Sequence, residues 1–303
     1  QGFFTELRAM LNEIGGYRQG QGENIHEEYL KIALDRLVRR EKVSALYHVM
    51  LAGVEKDGET IKSVSVASKA GTLKFSAHTF IDATGDADLA AQAGCPFQLG
   101  REDNLCQPMT LCFRIGNVDI EKYKESRPLM QRLYKQFQSE GKIKNPREDV
   151  LVFHTLVDGV LHFNTTRVVK LNPTDPLDVT NAEMTAREQM LEMYTFLHDN
   201  VPGFEHSQLL YSASEIGVRE SRMIVGEYVL TEYDLKDCVR FDDAIAAGNY
   251  DIDIHSPDGS GTSHYYFPAG KWYTIPYRSL LPKGAANLLV AGRCISATHA
   301  AQA

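Results

Sequence analysis

Two short apolar runs that stop at glycine carry the residue types best suited to chemistry. One is Thr79-Phe80-Ile81-Asp82-Ala83-Thr84-Gly85-Asp86; the other is Asn287-Leu288-Leu289-Val290-Ala291-Gly292-Arg293. A glycine at the carboxyl end of a buried parallel strand lets a phosphate or ribose approach the backbone closely, and ligands of open α/β sheets sit in that crevice. Read singly, each run is also an ordinary strand-to-loop transition. Arg219, Arg222 and Arg278 suit bidentate recognition of an anionic substrate. They equally suit an internal network with Glu215, Glu220 or Glu227. His299, just beyond the second run, is a side chain that donates or accepts a proton near neutral pH, or simply packs.

Other groupings lead nowhere. Asp251, Asp253, His255 and Asp258 have metal-ligand types but meet no spacing rule, so no metal is expected. Asn164-Thr165-Thr166 matches a glycosylation triplet by pattern only. Cys95, Cys106, Cys112, Cys238 and Cys294 are odd in number and form no CxxC pair. They read as buried or free thiols in a reducing compartment, and a cytoplasmic location is expected.

The elements that must position these residues follow from periodicity. Phe3 to Ile14 reads as a helix stopped by Gly15-Gly16, followed by a polar loop through Gly20 and Gly22. Asn24 and Glu27 resemble a capping pair for a helix running to about Arg40. Strands are expected over Ala45–Val54, around Ile61, Val64 and Val66, and around Leu73 and Phe75, with Asp57-Gly58 and Lys69-Ala70-Gly71 as turns. A helix therefore leads into a three-stranded meander, and a small-residue helix Ala87–Ala93 follows the first glycine-stopped strand. Further on, strands are expected at Met109–Ile115, Val150–Leu156, Val160–Phe163 and Leu209–Ala213. A long helix is expected from Asn181 to His198, and a short one at Asp242–Ala247.

A net charge of -8 disfavours broad phosphate neutralisation, so no nucleic-acid partner is expected. No apolar run approaches the ~20 residues that span a bilayer, so no membrane partner is expected either. Oligomeric state is left open.

The helix, meander and strand ending Ala83-Thr84-Gly85-Asp86 resemble the dinucleotide-binding domain of two-domain flavoproteins of the glutathione reductase type. The run Ile81 to Ala90 resembles their second FAD motif. Gly94-Cys95-Pro96, Gly100-Arg101-Glu102, Gln107-Pro108-Met109-Thr110, Gly217-Val218-Arg219-Glu220-Ser221-Arg222, Gly226-Glu227-Tyr228, Ile275 to Pro282 and Ala291 to Ser296 resemble the bacterial FAD-dependent oxidoreductase family. The resemblance implies an α/β fold: an FAD/NAD(P)-binding Rossmann-like sheet with a three-stranded meander, plus an inserted α+β substrate domain. Its parts are 1–102 and 281–303 for the FAD-binding domain and 103–280 for the insertion. Phe80–Ala83 and Leu288–Ala291 are then neighbouring parallel strands, and Arg219, Arg222 or Arg278 face the cleft beside Gly85 and Gly292.

The resemblance also implies FAD as cofactor, held by Met50 and Leu51 on the adenine side, by Ala83, Thr84, Gly85 and Asp86, and by Gly292, Arg293 and Ser296. It places His299 near the flavin and gives Arg293 the task of balancing flavin or substrate charge. The family opens with a strand and GxGxxG, and no GxGxxG occurs here. The chain therefore reads as cut short at both ends, and by itself is expected to hold FAD weakly or not at all. The implied activity is hydride or electron transfer between a small-molecule substrate and flavin. The rival readings are a non-catalytic flavin-binding or scaffold module and a flavoenzyme acting on RNA.

Overall fold

A computed structural model describes residues 2–19, 23–259 and 261–303, a mixed α/β arrangement. The chain starts with helix α1 (Phe3–Glu13), strands β1 (Tyr17–Gln19) and β2 (Glu23–Ile25), and helix α2 (Glu27–Arg40). Leu7 and Leu11 of α1 pack on Ala33 of α2, as the apolar spacing requires. Asn24 does not cap α2. It lies in β2 opposite Arg18, and His26 is the N-cap, its Nδ1 accepting the Glu28 N–H at 3.3 Å. The hairpin returns the chain to Gly16, whose carbonyl accepts the His26 N–H at 2.9 Å, and this fixes where the helix begins. The glycines of the expected loop, Gly20 and Gly22, lie outside the described residues.

The meander is formed by β3 (Met50–Asp57), β4 (Thr60–Ser68) and β5 (Gly71–Phe75), antiparallel in that order. The expected first strand starts late, because residues 45–48 are exposed and residues 45–49 are unpaired with the sheet. Next come β6 (Phe80–Asp82), helix α3 (Asp88–Gln92) and β7 (Phe97–Leu99).

The following stretch builds a second core. Strands β8 (Phe113–Gly116), β9 (Val152–His154), β10 (Leu161–Phe163) and β11 (Gln208–Ser212) form an antiparallel sheet in the order β11-β8-β10-β9. Helices α4 (Ile120–Ser139) and α5 (Pro176–Asn200) cover it. Of the expected strand Met109–Ile115 only its end joins the sheet; Met109 and Thr110 make isolated bridges to Val168 and Gly217. Helix α5 starts before Asn181, since Asp175 accepts the Leu177 and Asp178 N–H groups and Pro176 takes the first turn. Helix α4 has no counterpart in the sequence reading, because Pro128 sits inside it. Its inward face, Tyr123, Ser126, Met130 and Tyr134, nevertheless has helical spacing.

The last third holds β12 (Arg222–Ile224), helix α6 (Glu232–Lys236), β13 (Ala244–Gly248), β14 (Ile252–His255), β15 (Thr262–Tyr265), β16 (Tyr273–Pro276), β17 (Leu288–Val290) and helix α7 (His299–Gln302). The helix expected at Asp242–Ala247 is instead β13, paired with β16. Tertiary pairing outweighs the local preference of its alanines here: Asp243 accepts the Tyr277 N–H on its carbonyl at 2.8 Å and the Arg278 N–H on its carboxylate at 3.1 Å.

Strands β17 and β6 are parallel neighbours, with Leu288 opposite Phe80, Leu289 opposite Ile81 and Val290 opposite Asp82. Their core is made of Phe80, Ala87, Leu89, Ala90, Leu288 and Val290, joined by Ile224 of β12. Strand β12 itself pairs with β7. Among the described residues no helix is long and apolar enough to cross a membrane.

Candidate functional site

The carboxyl ends of β6 and β17 stand side by side, and a buried carboxylate organises the first of them. Asp82 is 1% exposed. Its oxygens accept the Thr84 N–H at 3.0 Å, the Thr84 hydroxyl at 2.7 Å and the Ala90 N–H at 2.9 Å, while its carbonyl accepts the Ala291 N–H at 2.8 Å. One side chain thus ties the loop after β6 to the start of α3. Gly85 follows with φ 82°, a conformation costly for any side chain.

Arg293, on the loop after β17, lies against Gly85: a Cβ there would stand 2.5 Å from a guanidinium nitrogen. The same guanidinium donates to Asp86 at 2.6 Å, and the Ser221 hydroxyl donates to the same carboxylate oxygen at 2.5 Å. Arg222 donates to the Asp86 carbonyl at 2.6 Å and pairs with Asp88. Burial, with Asp86 and Asp82 nearby, lifts the Asp88 carboxyl above its usual range against the pull of Arg222.

Of the expected site residues, Ala83, Thr84, Gly85, Asp86, Gly292, Arg293 and Arg222 are brought together. Gly292, at φ 86°, has open space where a Cβ would stand. Leu51 packs partly on the same core, and Met50 is 76% exposed at the start of β3. Ser296 is fully buried and serves the scaffold; its hydroxyl accepts the Gly226 N–H at 3.0 Å. Arg278 stands apart, half exposed and paired with Asp243 at 2.9 Å.

A second group sits along the segment entering β12. His299 Nδ1 is 2.7 Å from Oε1 of Glu220, which is fully buried, and Oε2 of Glu220 accepts the Gln107 N–H at 2.8 Å. The carboxyl is therefore held facing the imidazole, and Nδ1–H is the donor. Among the described residues Nε2 has no hydrogen-bond partner. In sequence Gln107, Glu220, Ser221 and Asp82 stand within the quoted runs and motifs, but Glu220 is offered a role only as a counterion for arginine and the other three are given none. The signal for Asp82 was there: an acidic residue closing an apolar strand needs donors, and the small residues after it leave their N–H groups free to supply them. Arg219 sits beside this group, its guanidinium donating to Asn164 Oδ1 at 3.2 Å and Thr110 Oγ1 at 3.4 Å. Among the described residues no group of three or more His, Cys, Asp or Glu side chains is placed to hold a metal. A cavity of about 770 Å³ between the end of α4, the loop after it and α5 is lined by none of these residues.

The whole chain, residues 1–303, matches the family described as FAD dependent oxidoreductase. The chain belongs to this family. FAD is its cofactor, and the family's redox activity is that of an oxidoreductase. Similar solved structures include p-nitrophenol 4-monooxygenase PnpA from Pseudomonas putida DLL-E4, at 12% identity and TM-score 0.40, covering 68% of this chain and 45% of that one. A triple mutant of the flavin-dependent brominase Bmp2 matches at 12% identity and TM-score 0.34, covering 66% and 46%. OxyS anhydrotetracycline hydroxylase from Streptomyces rimosus matches at 13% identity and TM-score 0.33, covering 68% and 35%. This chain therefore spans less than half the length of each. No curated protein matches it.

The residues present fit the cofactor. Among the described residues Arg293 Nε is a buried donor without a hydrogen-bond partner, and its guanidinium lies against Gly85, next in sequence to the exposed Ala83-Thr84. A donor left unpaired at such a place suits the oxygens of a nucleotide.

Proposed function

We propose that this chain is the body of a flavoenzyme that moves a hydride or electrons between a small-molecule substrate and FAD, in the manner of two-domain flavoproteins of the glutathione reductase type. Residues 1–102 and 281–303 hold the cofactor, and 103–280 cover it and shape the substrate pocket. The observation that carries the reading is the parallel pairing of Phe80–Asp82 with Leu288–Val290, whose following loops meet through Arg293 and Asp86.

FAD, when bound, supplies the redox chemistry; the protein orients it and sets the charge around it. Ala83, Thr84, Gly85 and Asp86 hold it from one strand end, Gly292 and Arg293 from the other, and Met50 and Leu51 from the adenine side. The loops are rigid before the cofactor arrives because Asp82, Ser221 and Arg222 already fix them. His299 holds or gives up a proton at Nε2, while Glu220 fixes its ring through Nδ1. Ser296 keeps the turn after β17 closed on Gly226.

Flavin titration, followed by quenching of flavin fluorescence, tests the binding half. Arg293→Gln should weaken FAD by ~10-fold, the worth of one charge-assisted contact. Equal affinity in the variant and the parent protein would sink this placement. The proton role is tested by bleaching the bound flavin with a small reductant and reoxidising it with an added acceptor. His299→Gly should slow the cycle, and added imidazole should restore part of the rate. A cycle unaffected by the substitution removes His299 from the chemistry, and a flavin that never cycles points to a non-catalytic module.

A further inference from the structure

One half-buried cation, Arg219, has no anion to match it among the described residues. Three arginines lie close enough to feel one another's charge. Arg167 is 1% exposed; its guanidinium lies 2.9 Å from His255 Nδ1 and 3.3 Å from Glu148. Arg147 is 5% exposed and donates to Asp149 at 3.1 Å. Arg219 is the third, and its hydrogen-bond partners, Asn164 at 3.2 Å and Thr110 at 3.4 Å, are neutral. Among the described residues no carboxylate comes within ion-pair distance of Arg219. Asp253 contributes to its field, but the Asp253 oxygens face His255 and His264, each at 3.4 Å.

A guanidinium cannot shed its charge to escape burial. Burial and then Arg147 both pull the Arg219 pKa down, which is the signature of a cation in want of a counterion. Leaving such a charge unpaired is costly, and a bidentate oxyanion is its natural complement. Position adds to this. The Arg219 carbonyl accepts Gln302 Nε2 at 2.8 Å, and the next residue, Glu220, holds His299. Arg219 and the carboxylate that holds the imidazole are therefore neighbours on one backbone segment, and α7, which carries His299, hydrogen-bonds to that segment through Gln302.

We infer that Arg219 anchors the carboxylate of a small organic acid, which makes the substrate class of this flavoenzyme a carboxylic acid; the inference rests on the functional reading above. A carboxylate suits the place better than a phosphate. Its single charge matches one unpaired guanidinium, whereas a dianion would meet the repulsion of nearby Asp253 twice over. Asn164 and Thr110 present the oxygens that hold the guanidinium in place until the acid arrives.

Isothermal titration with butyrate, its neutral isostere butyramide and inorganic phosphate tests the inference. Butyrate should bind saturably, butyramide should not, and phosphate should bind more weakly than butyrate. Arg219→Gln should weaken butyrate by at least ~10-fold, the loss of one charged contact, while Lys124→Gln, on the surface of α4, should leave it unchanged. Since Arg219→Gln can also disturb the fold, Asn164→Asp provides a second test. It supplies the missing carboxylate from within, so it should raise the melting temperature and abolish butyrate binding. Equal binding of butyrate and butyramide, a preference for phosphate, or undiminished butyrate binding by Asn164→Asp would each overturn the anchor. Flavin retention is measured on the same samples. Bound flavin with no butyrate binding overturns this inference alone, whereas a chain that never retains flavin, even within a longer protein, counts against the functional reading.

Discussion

The two main cores of this molecule are built on opposite plans. Around β8 and β10 the core is large and apolar: Phe113, Ile115, Leu161 and Phe163 from the sheet meet Met130 and Tyr134 of α4 and Met193, Phe196 and Leu197 of α5. Phe113 and Phe163 stack with ring centres 5.1 Å apart. Around β6 and β17 the core mixes large side chains, Phe80, Leu89, Ile224 and Leu288, with small ones, Ala87, Ala90, Ala93, Cys95 and Cys294, and the sheet has two parallel strands with Ile81 63% exposed. What orders the second region is a set of buried or half-buried charges, Asp82, Asp86, Arg222 and Arg293, each hydrogen-bonded to loop backbone or to one another. Apolar burial is non-directional and supplies stability. Charge-assisted hydrogen bonds are directional and fix where loops go. The first core holds the fold, and the second holds the shape of a site.

That contrast can be broken by substitution, and the largest effect belongs to the first core. Phe163→Ala removes a fully buried ring and should cost ~3–5 kcal/mol by urea unfolding, with the loops around Gly85 unchanged in the surviving folded protein. Asp82→Ala should come next, at ~1–3 kcal/mol for buried donors left without an acceptor. It should cost proportionately more flavin affinity than Phe163→Ala does. A variant that loses stability but no flavin affinity would show that Asp82 merely packs.

A smaller effect comes from pH. Burial, with Arg219, Arg147 and Arg167 close by, pushes His255 down to about 3. Unfolded, it titrates near the ordinary ~6.5, so between those values the unfolded chain binds the extra proton. Stability rises with pH wherever that is so. The melting temperature should therefore fall as pH drops below about 6.5 toward about 3, and His255→Gln should flatten that slope. Arg167 can only donate, so its contact makes His255 Nδ1 the acceptor and leaves the proton on Nε2, facing Asp253. The smallest effect is expected at Arg278→Gln. That ion pair is half exposed, and its loss should leave the urea midpoint within experimental error.

Some of this was legible in the chain and some was not, for physical reasons visible at particular residues. The meander was legible because alternation and turn residues such as Asp57-Gly58 are local. Helix α4 was not, because Pro128 masks a face whose burial comes from β8, β10 and α5. The segment at Ala244–Gly248 was misread as helix because its small residues are neutral locally and were decided by pairing with β16.

The sequence by itself determined the family, the meander and the two glycine-stopped strands, since each rests on side-chain period, turn chemistry or contiguous motif. Only the tertiary structure decided how the charged residues divide their work. Asp86 and Arg293 meet although 207 residues separate them. Of the three arginines singled out together, Arg222 braces a loop, Arg278 pairs at the surface and Arg219 lies half-buried against neutral partners. Coulomb energy depends on distance through space and on burial, and neither is written in the spacing of residues along a chain.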